Sequence, residues 1–137
     1  MSMHWSTQYV GLPHEIGGRS RAGLDCWGLV HLFFREQYGI KLPELPGITA
    51  DVMLSICREV EQQQQTVWKE LAAPVDKCLV GMSQHTRGRL HHVGIWTDAD
   101  GGRIIHVSQS QVVADTMRKL RMRGFAHIKY YCYGLDY

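Results

Sequence analysis

The sequence predicts an α+β fold, with helices first and antiparallel strands after them. Three observations carry this. Cys26, Leu29, Val30, Phe33 and Phe34 recur at helical spacing. Residues His91 to Thr97 and Arg103 to Ser108 alternate apolar with polar, as half-buried strands do. Between those two runs lies Asp98-Ala99-Asp100-Gly101-Gly102, a strong turn signal that makes them a hairpin.

The elements follow in order. Residues 9–24 combine Gly11, Gly17, Gly18 and Gly23 with Pro13, and read as a structured turn region docked by Tyr9, Val10, Leu12 and Ile16. Asp25 suits a helix N-cap, and Gly39 suits the position just past the helix end. His31 and Arg35 fall four apart on what should be the wetter face of that helix. A second helix is expected from about Ala50 to Gln63, capped by Thr49, with Val52, Met53, Ile56 and Val60 as its stripe. Residues 66–76 are ambiguous and are broken by Pro74. A short apolar run from Lys77 to Met82 and an aromatic, β-branched run from His127 to Tyr133 complete the strands. Beyond residue 108 only this closing strand is expected. The length, 137 residues, suits a single domain over 1–137 with a helical insert at about 49–70.

Composition excludes several classes. Hydrophobic residues at 45% and charged residues at 20% are ordinary for a globular chain, so neither a disordered tail nor a coiled coil fits. The 15 Lys+Arg against 13 Asp+Glu are too balanced to indicate nucleic-acid binding. The basic run Arg118, Lys119, Arg121 and Arg123 reads as a solvated face. No apolar stretch approaches the ~18 residues of a membrane span. Residues Met1 to Gln8 lack the basic-then-apolar pattern of a secretory signal, so none is predicted. The four cysteines are widely spaced with no C-x-x-C, and no disulfide framework is expected. Cys57, Cys78 and Cys132 read as core. The tryptophans read as packing residues, with Trp27 and Trp96 flanking the candidate site.

Cys26 is the first candidate for chemistry. It opens a predicted helix, where the positive end of the helix dipole favours a thiolate. Position alone favours a buried hydrophobe instead. The hairpin alters that balance. A symmetric register about the turn sets Gly94 opposite His106 and His92 opposite Ser108. His92 and His106 then share one face as diagonal neighbours, about 7–8 Å apart at the backbone, so their rings can meet. Val93, Ile95, Ile105 and Val107 take the other face, and His91 goes with them by parity. Gly94 would leave room on the histidine face for the cysteine helix to pack closely. Two histidines with Cys26 could also ligate zinc, but no familiar ligand spacing is present, and no metal or cofactor is expected. The stronger plan is nucleophilic: Cys26 attacks a carbonyl, His92 moves the proton, and His106 orients His92.

These residues carry a family resemblance. Leu24-Asp25-Cys26-Trp27-Gly28-Leu29-Val30 resembles the nucleophile motif of the NlpC/P60 cysteine peptidases, and Pro13-His14-Glu15-Ile16-Gly17-Gly18 is similar to the turn before it. His92-Val93-Gly94-Ile95-Trp96 resembles the family's histidine strand, and Arg103-Ile104-Ile105-His106-Val107 the strand of its third residue. Trp27, the Gly-Gly-Arg turn and Tyr38-Gly39-Ile40 resemble the variant found in phage and prophage tails. The resemblance implies a papain-like α+β core and a thiol hydrolase of peptidoglycan stem peptides, cut at bonds between D-γ-glutamate and the diamino acid. It implies that Asp25 binds the substrate's amine or supports the loop. His14 stands where the family usually has an oxyanion-binding tyrosine, and the backbone N–H of Cys26 is the other donor. Other tail proteins are the implied partners. The chain is then expected to stay in the cytoplasm until it enters a particle or is released. Two alternatives stay open: an assembly protein that keeps the fold with little activity, and an amidase or acyltransferase using the same triad.

Overall fold

The computed structural model describes residues 4–42, 68–84 and 92–133. Six strands form one antiparallel sheet: β3 (Trp68–Leu71), β4 (Leu79–Ser83), β5 (His92–Thr97), β6 (Arg103–Val107), β7 (Val112–Asp115) and β8 (His127–Tyr133). Their spatial order is β3-β8-β4-β5-β6-β7. Two short strands, β1 (Arg19–Ser20) and β2 (Gly23–Leu24), form a separate hairpin just before the first helix, α1 (Cys26–Tyr38). A short second helix, α2 (Met117–Met122), lies between β7 and β8.

The expected α+β architecture is present, and α1 has both predicted ends. The Asp25 carboxylate accepts from the Gly28 N–H at 2.6 Å, one of the donors a helix N-terminus leaves unpaired. At the other end Gly39 takes the left-handed conformation (φ 68°) that glycine adopts without steric cost. Its N–H reaches Arg35 and Phe34, while that of Ile40 reaches Phe34.

Strand alternation sorts the core into two clusters. Leu79, Val93, Ile95, Ile105, Val107 and Tyr131 face α1 and pack with Trp27, Leu29, Val30, Phe33 and Phe34. Val80, Met82 and Ile104 face the other way and pack with Leu120 of α2 and with Phe125. His31 was assigned to a wetter face, but it is buried. The N-terminal segment carrying Trp5 and Tyr9 covers the helix from behind, so every residue from Cys26 to Phe34 is buried.

Three elements were not anticipated. β3 reads Trp-Lys-Glu-Leu and is an edge strand whose charges blunt further pairing. β7, the opposite edge, has only four residues. α2 has six residues and one buried side chain, too few for a helical period to register. The second helix expected at 50–63 lies outside the described residues. So does most of the helical insert expected at 49–70; its last part, 68–70, is strand.

Candidate active site

The site lies at the open end of the β5–β6 hairpin, where β5 begins at His92 and β6 ends at Val107. The register is the symmetric one, with Ile95 opposite Ile105, Trp96 opposite Ile104 and Thr97 opposite Arg103. Cys26, at the first position of α1, reaches this end from the face that packs on the helix. His92 and His106 reach it from the opposite face. All three line one cavity of about 510 Å³, together with His14, Arg123 and Phe125.

Cys26 is 3% exposed. Burial pushes its thiol up to about 12, and the neighbouring Asp25 carboxylate adds to this. Backbone N–H groups of Val93 and Trp27 and the Arg19 guanidinium favour the thiolate but do not outweigh the burial. The thiolate expected from the helix dipole is therefore not the resting form. Ionisation of Cys26 near neutral pH would need a neighbouring base.

Two histidines line the same cavity as Cys26. His92 Nε2 and His106 Nδ1 are 3.1 Å apart, with their rings nearly perpendicular at 85°. His106 Nε2 is 2.7 Å from Asp115 Oδ2, and the same oxygen accepts from Arg123 Nε at 2.6 Å. Burial alone would raise the Asp115 carboxyl, but the bonds from Arg123 and His106 outweigh it and hold it below the usual range. Burial lowers His106, and the Asp115 contact opposes this only in part. Asp115 is thus a carboxylate and His106 a neutral imidazole at pH 7. These charge states fix the tautomers. Asp115 can only accept, so His106 carries its proton on Nε2. His106 Nδ1 is then a bare lone pair, so His92 must donate from Nε2. His92 Nδ1 is then the acceptor nitrogen of that ring. Phe125 holds this arrangement by stacking on His92, with centroids 5.3 Å apart and planes 15° apart.

Gly94 does not make room for the cysteine helix, which lies on the other side of the sheet. A Cβ there would come within 2.6 Å of the Ile105 carbonyl and 3.0 Å of the His106 Cβ. Gly94 is needed so that His106 can lie flat against β5.

The other predicted residues divide. His14 lines the cavity, held there by its N–H bond to the Ser110 carbonyl at 3.0 Å. Asp25 is fully buried and engaged internally. Its oxygens take the Gly28 N–H, the Gly17 N–H at 3.1 Å and Arg19 Nη1 at 2.7 Å. That geometry is loop support. Trp27 is fully buried in the core and is not part of the cavity wall. Trp96 packs in the opposite cluster and donates to Asp98. Among the described residues, no group of three or more His, Cys, Asp or Glu could hold a metal.

Sequence reasoning missed Asp115, Arg123 and Phe125. Asp115 was within reach. β7 pairs with β6 so that Val113 faces His106 and Asp115 faces Ile104, which puts Asp115 on the histidine face. Recognising Ser108 to Gln111 as a turn would have predicted it. Arg123 was read with the basic run as solvated. Arg118, Lys119, Arg121 and Arg123 are all exposed, and Arg123 in addition turns back onto Asp115.

Comparison with known proteins agrees with this fold. A solved structure, the NlpC/p60 domain of the peptidoglycan hydrolase SagA, has the same fold: TM-score 0.57, 20% identity, 91% of each chain covered. The gamma-DL-glutamyl hydrolase of Bacillus subtilis (strain 168) is 31% identical over 107 residues, 77% of this chain and 22% of that protein. The murein DD-endopeptidase MepS/murein LD-carboxypeptidase of Escherichia coli (strain K12) is 43% identical over 35 residues, 26% of this chain and 19% of that protein. The matched stretches thus span about a fifth of the length of these two relatives. The profile of the NlpC/P60 family matches residues 11–128, and the chain belongs to the NlpC/P60 family.

Proposed function

We propose that this protein is a cysteine hydrolase that cuts amide bonds in peptidoglycan stem peptides, with Cys26 as nucleophile, His92 as base and acid, and His106 as the group that orients His92. The observation that carries this is the hydrogen-bonded chain His92–His106–Asp115 opening onto the cavity that holds Cys26. The substrate class is supported by the hydrolases of murein and of γ-glutamyl bonds among its relatives.

The steps balance. The Cys26 sulfur attacks the amide carbon as its proton passes to His92 Nδ1. Attack and proton transfer are coupled, because the buried thiol does not ionise alone. The oxyanion is received by the Cys26 N–H, a first-turn donor without an intrahelical partner, and by the His14 ring. The C–N bond then breaks and His92 returns the proton to the leaving amine. Water cleaves the thioester, giving one proton to His92 and through it to sulfur. The imidazolium that forms on His92 is stabilised by donating from Nε2 to His106. His106 is in turn held by the Asp115 carboxylate.

The setting we propose is a phage or prophage tail, reached from the cytoplasm by assembly or lysis. Trp27, the Gly-Gly-Arg turn and Tyr38-Gly39-Ile40 support it. The test is digestion of purified peptidoglycan by wild type and Cys26→Ala, with fragments read by mass spectrometry. Stem-peptide fragments from wild type alone are expected. No fragments from folded wild type across neutral pH would overturn the hydrolase reading in favour of an assembly role.

A further inference from the structure

Arg123 has capacity that the relay does not use. Its Nε is engaged by Asp115 at 2.6 Å, and no other acceptor for the guanidinium is present among the described residues. The side chain is 35% exposed and lines the same cavity as Cys26. None of the described residues lining that cavity is acidic. The guanidinium is also held still. Asp115 is buried beneath it, and its own backbone carbonyl, at the C-cap of α2, accepts from Gln84 Nε2 at 3.4 Å. A fixed fork with N–H groups unused among the described residues, in a cavity wall whose described residues include no acid, matches a planar carboxylate bidentately.

We propose that the terminal nitrogens of Arg123 bind the free α-carboxylate of a γ-linked glutamyl residue in the substrate, making Arg123 a specificity-determining residue. This rests on the hydrolase reading above. In a γ-linked chain the glutamyl side-chain carbonyl is the one attacked. The α-carboxylate therefore stays charged close to the reacting carbon and must enter the cavity with it. An α-linked peptide has no charge at that place.

The test uses two synthetic stem peptides that differ only at the γ-glutamyl α-position, carboxylate against carboxamide. Wild type should cleave the carboxylate peptide with a kcat/KM at least about tenfold higher, as expected for losing one charge-assisted pair. Arg123→Gln should bring the ratio close to one, whatever its overall rate. Equal cleavage by wild type, or a ratio retained in Arg123→Gln, overturns the assignment and leaves the hydrolase reading intact. Cleavage of neither peptide by wild type counts against the hydrolase reading instead. In that case calorimetric titration of Cys26→Ala with both peptides decides for Arg123: about tenfold tighter binding of the carboxylate peptide is expected, and equal or absent binding overturns it. If Arg123→Gln does not fold, Arg123→Met, which also removes the charge, replaces it with the same expected ratio close to one.

Discussion

Asp115→Asn removes one charge and keeps the shape. In the native protein one carboxylate oxygen accepts from both His106 Nε2 at 2.7 Å and Arg123 Nε at 2.6 Å. A hydrogen bond to a charged group contributes about 1.5–3 kcal/mol against about 1 kcal/mol for a neutral one. The His106 bond is buried and loses about 1–1.5 kcal/mol. The Arg123 bond is partly exposed, so solvent screening leaves a loss below about 1 kcal/mol. Together they cost about 2 kcal/mol, a fall in thermal midpoint of about 6–8 °C for a domain of this size. If the same loss is felt in the transition state, kcat/KM on stem peptides falls about 30-fold. A second readout separates orientation from mere structure. Asp115 raises the affinity of His106 for a proton, so its removal should shift the acid limb of the kcat/KM profile to lower pH. Asp115→Glu, which keeps the charge, should restore the limb. An Asp115→Asn enzyme within twofold of wild type, with an unmoved acid limb, would refute the relay.

Three further outcomes are expected. Gly94→Ala should destabilise by about 1–3 kcal/mol and reduce activity more than a remote variant of equal stability, because the new methyl meets the Ile105 carbonyl and His106; parallel melting and kinetic measurements check it. Stability should fall with acid in two stages. Both His106 and Asp115 have depressed folded values, so their contribution is complete above the unfolded values. It is lost from about pH 6.5 downward for His106 and from about pH 3.9 downward for Asp115. A pH-independent midpoint between 7 and 5 would contradict the buried neutral imidazole. Alkylation of Cys26 by iodoacetamide, followed by peptide mass mapping, should rise continuously above pH 8.5 with no plateau near neutrality, because its thiol is pushed up to about 12. A neutral plateau would restore the preformed thiolate.

How much of this was legible in the sequence depends on how local each signal is. The ends of α1 were readable because Asp25 and Gly39 act through their own backbone neighbourhood. The hairpin was readable because a five-residue turn fixes the register, and the register alone brings His92 to His106. Faces could be assigned within the hairpin, but not which face the helix would take, and so Gly94 was given the wrong neighbour. Asp115 and Arg123 join the site through an edge strand and a one-turn cap. Both lie below the length at which periodicity registers. The state of Cys26 was not legible for another reason. The helix dipole is a property of position, whereas burial depends on everything packed around it, and burial is the larger effect.

In the proposed mechanism the proton would not travel to the far end of the His92–His106–Asp115 chain. Asp115, bonded by Arg123 and His106, is held below the usual carboxylate range, and His106 is held neutral by burial. In that mechanism a proton leaving Cys26 would stop on His92, one bond from where the leaving amine would need it. Arg123 has two opposed effects in this arrangement. It fixes Asp115, which supports His92 through His106, but its positive charge also lowers His106. A substrate carboxylate paired to its outer nitrogens would cancel part of that charge without disturbing the Nε bond. The histidine pair would then be a stronger base with the γ-glutamyl substrate in place than in the empty cavity. That would tie recognition of the carboxylate to activation of a buried thiol.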